Sequence, residues 1–349
     1  MQTIQALPEE NIPAMPRVSS VVMGRQDYLS TLGRLTVIEL YKIRRRLMSK
    51  VLVLVGVGLI ISIFMVAGIL AWSITTGPAS KFALPLCTQA TKGGSCIDHQ
   101  QTQAELEQLK QAQVNRFSRQ LSLPTSLNVS VSVIVLPFTM LVIILIGSIV
   151  GGEYSYGTIR LLYTRGPTRL QFLLAKIGSA IIFTISMVLA MALAGIATGY
   201  LLHPVTGVAL NFNFLTAAWM DNAIIFLLLT MLQWFVFAIM ALFFGTVGRS
   251  TVAGVVGALS WFFLELVLTN IISLIARVVG GSFGDFLNAI PTYFVGNNTQ
   301  ALIQNQAHLF LGTDPSLLTN AHAWSVVAVY LVVMIVVACV AIVRRDVTN

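Results

Sequence analysis

VLVLVGVGLIISIFMVAGILAWSI, residues 51–74, contains no charged side chain and no proline. An apolar run of about 18 residues or more is the mark of a helix that crosses a bilayer, where only a helix or a closed barrel can satisfy the backbone without water. Working outward, five further runs share the pattern, at about 129–150, 177–202, 222–247, 251–276 and 323–343. Composition agrees: 56% of the 349 residues are hydrophobic and 10% are charged, against about 25% charged in an ordinary soluble domain. A water-facing surface cannot be built from that. No run alternates with the period of barrel strands. The run at 51–74 follows about 50 residues and is too long for the apolar core of a secretory signal. The expected fold class is an all-α integral membrane protein with six transmembrane helices.

Charge orients the spans. Of 21 basic residues, fifteen fall on one side of a six-span chain, in the segment up to Lys50, in the 151–176 connection, at Arg249 and at Arg344 and Arg345. The other six are Lys81, Lys92, Lys110, Arg116, Arg119 and Arg277. Positive charge marks the cytoplasmic side, so both termini are expected in the cytoplasm and the protein in the plasma membrane. The net charge of +8 therefore reports topology, and no nucleic acid is expected as a partner.

Residues 1–26, with Pro8, Pro13 and Pro16, read as a flexible tail before a six-span unit over 27–349. In YLSTLGRLTVIELYKIRRRLMSK, residues 28–50, Leu29, Leu32, Leu40, Ile43 and Leu47 recur at helical spacing, while Arg34, Lys42, Arg45 and Arg46 fall largely elsewhere on the wheel. That predicts an amphipathic helix at the membrane interface; a positive flank that merely orients the first span is the alternative. The large loop at 75–128 is expected outside, and DHQQTQAELEQLKQAQVNRFSRQL within it lacks Gly and Pro and predicts a polar helix. Cys87 and Cys96 flank Gly93 and Gly94 there; on an oxidising face they could form a disulfide or stay two free thiols. Cys339, in the last run, reads as packing. The segment 277–322 is apolar yet broken by Gly and Pro, which suggests helices lying on the outer interface or dipping in and returning, beside the plainer reading of a loop.

Two features of the 251–276 run stand out. Gly254 and Gly257, with Ala253 and Ala258, supply a small-residue face for close packing. Glu265 is the one acid inside any expected span. An intramembrane carboxylate is a functional-site hypothesis, on a substrate path or across a subunit interface; a hydrogen-bonded packing residue is the bland counterpart. Recognisable catalysis is missing. No P-loop, HExxH, CxxC or Gly-x-Ser-x-Gly occurs, and His99, His203, His308 and His322 lack metal-ligand spacing. A non-catalytic chain is expected.

The connection GGEYSYGTIRLLYTRGPTRLQFLLAK, residues 151–176, is basic and glycine-punctuated between two greasy runs. Gly151 and Gly152 predict a sharp turn. Residues 155–165 can then form a short surface helix with Ile159 and Leu162 on one side, Gly166 and Pro167 stop it, and Thr168 can cap the next helix. The segment resembles the first cytoplasmic loop of permease subunits of type-2 ABC exporters, which often reads GEYxxGTIRxLLxxPxxRxxxxxxK. Gly152, Glu153, Tyr154, Gly157, Thr158, Ile159, Arg160, Leu161, Leu162, Pro167, Arg169 and Lys176 carry the likeness, and ELYKIRRRLMSKVLVL before the first run is similar to the family's leading helix. The resemblance implies docking to a separate cytoplasmic ATPase through Glu153, Tyr154, Gly157, Thr158 and Arg160, with Arg45 in a second contact over 34–50. It also implies a second permease copy or paralogue, a substrate path through the lipid bilayer between the two, ATP and magnesium bound by the partner, and no cofactor in this chain. The alternative is an ATP-independent carrier or channel that uses Glu265 as its coupling group.

Overall fold

A computed structural model describes residues 28–78, 103–157, 168–206 and 212–344. Among these residues the regular structure is helical throughout. The elements are α1 (Tyr28–Arg45), α2 (Leu47–Thr76), α3 (Gln103–Leu121), α4 (Thr125–Ser155), α5 (Arg169–Thr206), α6 (Ala217–Gly248), α7 (Thr251–Val279), α8 (Gly281–Ala289), a 3-10 turn (Ile290–Tyr293), α9 (Val295–Leu311) and α10 (Asn320–Arg344). Six of them, α2, α4, α5, α6, α7 and α10, are long and apolar enough to cross a membrane. They coincide with the six runs of the sequence and extend each by a few residues.

α4 and α6 form the centre: 56% and 61% of their apolar windows are buried, against 28% for α2 and α10 and 11% for α7. Trp234 of α6 is fully buried and its ring lies 4.3 Å from that of Phe138 on α4. α4 meets α7 nearly backbone to backbone. A Cβ at Gly147 would stand 2.8 Å from the Gly254 carbonyl carbon, and one at Gly151 would collide with the Ser250 carbonyl. The small-residue face expected around Gly254 is thus used, and Gly257 admits the Phe244 ring. This contact also corrects the expected turn at Gly151 and Gly152. Both are helical, and at Gly151 the missing side chain serves that close packing; α4 runs on to Ser155, and the left-handed residue is Gly157, with φ 67°.

Helix starts follow local chemistry. Thr168 Oγ1 accepts from the Gln171 N–H at 3.2 Å while Gln171 Oε1 accepts from the Thr168 N–H at 2.9 Å, a reciprocal capping box that starts α5 where Thr168 was expected to cap. Ser250 Oγ accepts from the Ala253 N–H at 3.0 Å and starts α7 directly after Arg249, which takes a left-handed conformation. Arg169 Nη1 donates to the carbonyls of Ile342 and Val343, tying the last turn of α10 to the start of α5.

Two connections depart from simple loops. The polar helix expected before the second run is α3, and it docks on the bundle through Val114 and Leu121, which are buried. After α7, α8 turns back: Gly284 sits so close to the Ala276 carbonyl that a Cβ would lie 2.7 Å from it. The 3-10 turn brings the chain to Glu265, midway along α7, and α9 returns, so residues 281–311 form a helical hairpin. α1 packs along α5, with Thr36 against Gly178. Its buried residues are Glu39 and Ile43, whereas Leu29 and Leu47 are exposed, so the stripe predicted from apolar spacing is only partly the buried face. An acid lies inside instead, for the reason that follows.

Candidate functional site

Glu39 of α1 has 4% of its side chain exposed, Lys176 of α5 has 5%, and Glu153 in the last turn of α4 has 11%. Such burial of charge is sustainable only with partners. Lys176 Nζ lies 3.1 Å from Glu39 Oε2 and 2.6 Å from Glu153 Oε2. Lys42 Nζ lies 2.6 Å from Glu39 Oε1 and 3.2 Å from Glu153 Oε1. The result is a closed ring of two carboxylates and two ammoniums in alternating sign, with no net charge. The Lys176 ammonium also stands 4.5 Å from the centre of the Phe172 ring. Three elements meet in this ring, so α1, the end of α4 and the start of α5 are held as one body.

The ring sets the protonation of its members outside the apolar spans. Burial works to raise the Glu39 carboxyl, but the Lys176 and Lys42 ammoniums overcome it and hold the group below its ordinary range. Burial likewise works to lower the Lys42 ammonium, and Glu153 and Glu39 outweigh it, so that its value rises. Glu39 and Lys42 are thereby both held in their charged forms at neutral pH.

The residues expected to dock a partner are thereby separated. Glu153 is turned inward, into the ring, and Tyr154 packs against the apolar core. Gly157 and Tyr156 are exposed beyond them. Arg45 is exposed on α1, with its guanidinium 5.1 Å from the centre of the Tyr41 ring. Thr158 and Arg160 lie outside the described residues, as do Cys87 and Cys96. Glu39, Lys42 and Lys176 form the ring with Glu153, yet the motif reading used them only as members of a basic pattern or not at all. One signal was present: Glu39 is the single acid in residues 28–50.

Glu265 forms a second centre, away from the ring. Its Oε1 accepts from the Trp261 indole N–H at 2.9 Å and from the Val295 N–H at 3.0 Å, and its Oε2 accepts from the Gly296 N–H at 2.9 Å. Val295 and Gly296 open α9, whose own N-cap, Phe294, offers no side-chain acceptor. The carboxylate of α7 therefore does the work of an N-cap for a helix that begins inside the bundle. A Cβ at 296 would lie 2.8 Å from Glu265 Oε2, so the glycine leaves the carboxylate its place against the first amides of α9. Nearby amides complete the hairpin: Asn298 Nδ2 donates to the carbonyls of Thr292 and Phe294, and Gln306 Nε2 reaches Asn222 Oδ1 of α6 at 2.8 Å.

Among the described residues no three His, Cys, Asp or Glu side chains gather as metal ligands. The contacts at the two centres are ion pairs and helix-capping hydrogen bonds. No curated protein matches the chain. Residues 113–348 match the model of the family described as "Protein of unknown function (DUF2705)", a stretch that begins within α3 and includes Glu153, Lys176 and Glu265 but not Glu39 and Lys42. The match covers more than half of the chain, from the second apolar span through the last, and the protein belongs to the DUF2705 family.

Proposed function

We propose that this chain is the transmembrane permease subunit of an ATP-driven exporter of the type-2 ABC class, with ATP hydrolysed by a separate cytoplasmic subunit. The observation that carries the reading is the buried ring of Glu39, Lys42, Glu153 and Lys176. It joins the leading helix to both flanks of the 151–176 segment, the part that resembles the family's coupling loop. A push on that segment would be transmitted to α1, α4 and α5 together. In this reading Glu153 positions the coupling segment rather than touching the ATPase, while Gly157, Thr158, Arg160 and Arg45 supply the contact.

The remaining features fit the same role. The end of α4, the start of α5, Arg249 and the end of α10 share one end of the bundle with α1, and the excess of basic residues in the segments at that end supports a cytoplasmic position for it, with α1 at the membrane surface. α3 and the α8–α9 hairpin then lie toward the outside. A second permease copy or paralogue completes the transporter, and we assign the exposed apolar side of α7, the least buried of the six long helices, to that pairing. The carrier alternative, with Glu265 as coupling group, is disfavoured because three N–H donors already occupy the carboxylate.

The test is purification of the tagged full-length chain from its own host in mild detergent, followed by identification of what accompanies it. A co-purifying P-loop ATPase is the expected outcome. Glu153→Lys and Gly157→Pro should each abolish that association or uncouple hydrolysis from transport. Unchanged co-purification and unchanged transport in both variants would sink the coupling assignment.

A further inference from the structure

A cleft of about 190 Å³ opens between α4, α6, α7 and the first turn of α9. Gln233, Glu265, Thr269, Asn270, Asn297 and Gln300 provide its polar lining. Gln233 is only 4% exposed, and its Oε1 has no hydrogen-bond partner. A buried carbonyl oxygen left unmatched is costly and rare in a folded protein, and one that lines a cleft is matched when a ligand brings a donor.

The neighbouring amides say which kind of donor. Asn270 Nδ2 donates to the Leu266 carbonyl at 2.7 Å, and Asn297 Nδ2 donates to the Pro291 carbonyl at 2.9 Å and to Thr269 Oγ1 at 3.0 Å. An amide oxygen cannot face a carbonyl, so these orientations are forced; both N–H groups of Asn297 are engaged, and each asparagine keeps its oxygen to accept from a ligand. Glu265 is an acceptor as well, and no basic side chain lines the cleft. Phe237 and Phe262, ring centres 5.4 Å apart and edge to face, add aromatic surface that favours a cation. The Glu265 carboxyl and the lack of any basic side chain in the lining disfavour a phosphate or carboxylate here. An ammonium, with three donors and no acceptor, is the complement.

We propose that this cleft binds the primary ammonium group of an amphipathic amine, with Gln233 Oε1 accepting one N–H and the alkyl part lying along Leu136, Phe237, Phe262 and Leu266. The inference adds a ligand class to the permease reading but does not depend on it: binding is a property of this chain, ATPase association one of its partner. The experiment titrates the full-length protein, in phosphatidylcholine nanodiscs at neutral pH, with octylammonium, and follows intrinsic fluorescence, since the Trp261 indole is bonded to Glu265 at the cleft. Saturable binding is expected for octylammonium and none for octanoate. Gln233→Leu should weaken it about tenfold, and Asn270→Leu, at an exposed position, gives a second reading should the first variant fold poorly. Equal response to octanoate, or undiminished affinity in folded forms of both variants, overturns the proposal. A parallel titration in nanodiscs containing phosphatidylethanolamine separates the sources of the ammonium. Displacement of octylammonium assigns the site to an aminolipid headgroup; undiminished binding assigns it to a free amine.

Discussion

Lys176 touches both glutamates of the ring, and its ammonium has no water to fall back on. Replacing it by methionine keeps the length of the side chain but leaves two buried carboxylates facing one lysine. Removal of one partner from a buried pair costs about 3–5 kcal/mol, so Lys176→Met should lower the unfolding free energy by about 3 kcal/mol, measurable by denaturant titration in detergent. Adding Glu153→Gln restores the balance of one carboxylate to one ammonium and should recover part of that loss. A ring that mattered only through side-chain volume would show no recovery. The motif around Glu153 was legible in the sequence as a pattern, yet its orientation was not. A glutamate after Gly-Gly reads as displayed on a turn, whereas close packing of Gly151 on the α7 backbone keeps the segment helical and directs Glu153 inward.

At the scale of elements, the hairpin of α8 and α9 depends on one side chain of another helix. Glu265→Ala would leave the Val295 and Gly296 N–H groups and the Trp261 indole without their acceptor, and each unsatisfied donor costs about 1–3 kcal/mol. Amide hydrogen exchange at residues 295–299 should accelerate strongly in that variant. Glu265→Gln, which keeps one acceptor oxygen, should do so less. If exchange stays at the wild-type rate in Glu265→Ala, the capping role is wrong. The six long helices were readable from apolar runs alone, and so was α3 from its composition. The hairpin was readable only as a choice between a loop, a surface helix and a dipping segment, because its apolar pieces are too short to declare where they lie. What places it is the position of its acceptor, midway along α7.

Across the whole molecule, the ring makes stability depend on pH at both extremes. Glu39 has a folded-state value below its ordinary 4.5, so its stabilisation is complete above that value and is lost as pH falls through the lowered one. Lys42 has a folded-state value above its ordinary 10.5, so its share is complete below that value and is lost as pH rises through the raised one. Thermal unfolding of the purified chain should therefore show a plateau between these limits, with an acid limb that flattens in Glu39→Gln. An identical acid limb in that variant would remove Glu39 from the account. By itself the sequence determined the number of helices long and apolar enough to cross a membrane, the segments that gather positive charge and the absence of recognisable catalytic motifs. Each of these is a sum over neighbouring residues, which hydropathy and charge counting register directly. Only the tertiary structure decided the partners of the charges: Lys42 meets Glu153 across 111 positions and Lys176 meets Glu39 across 137, and Glu265 meets backbone donors 30 and 31 positions away. Such pairings follow from which helices pack together, and the packing turns on glycines whose role is visible only when two backbones meet.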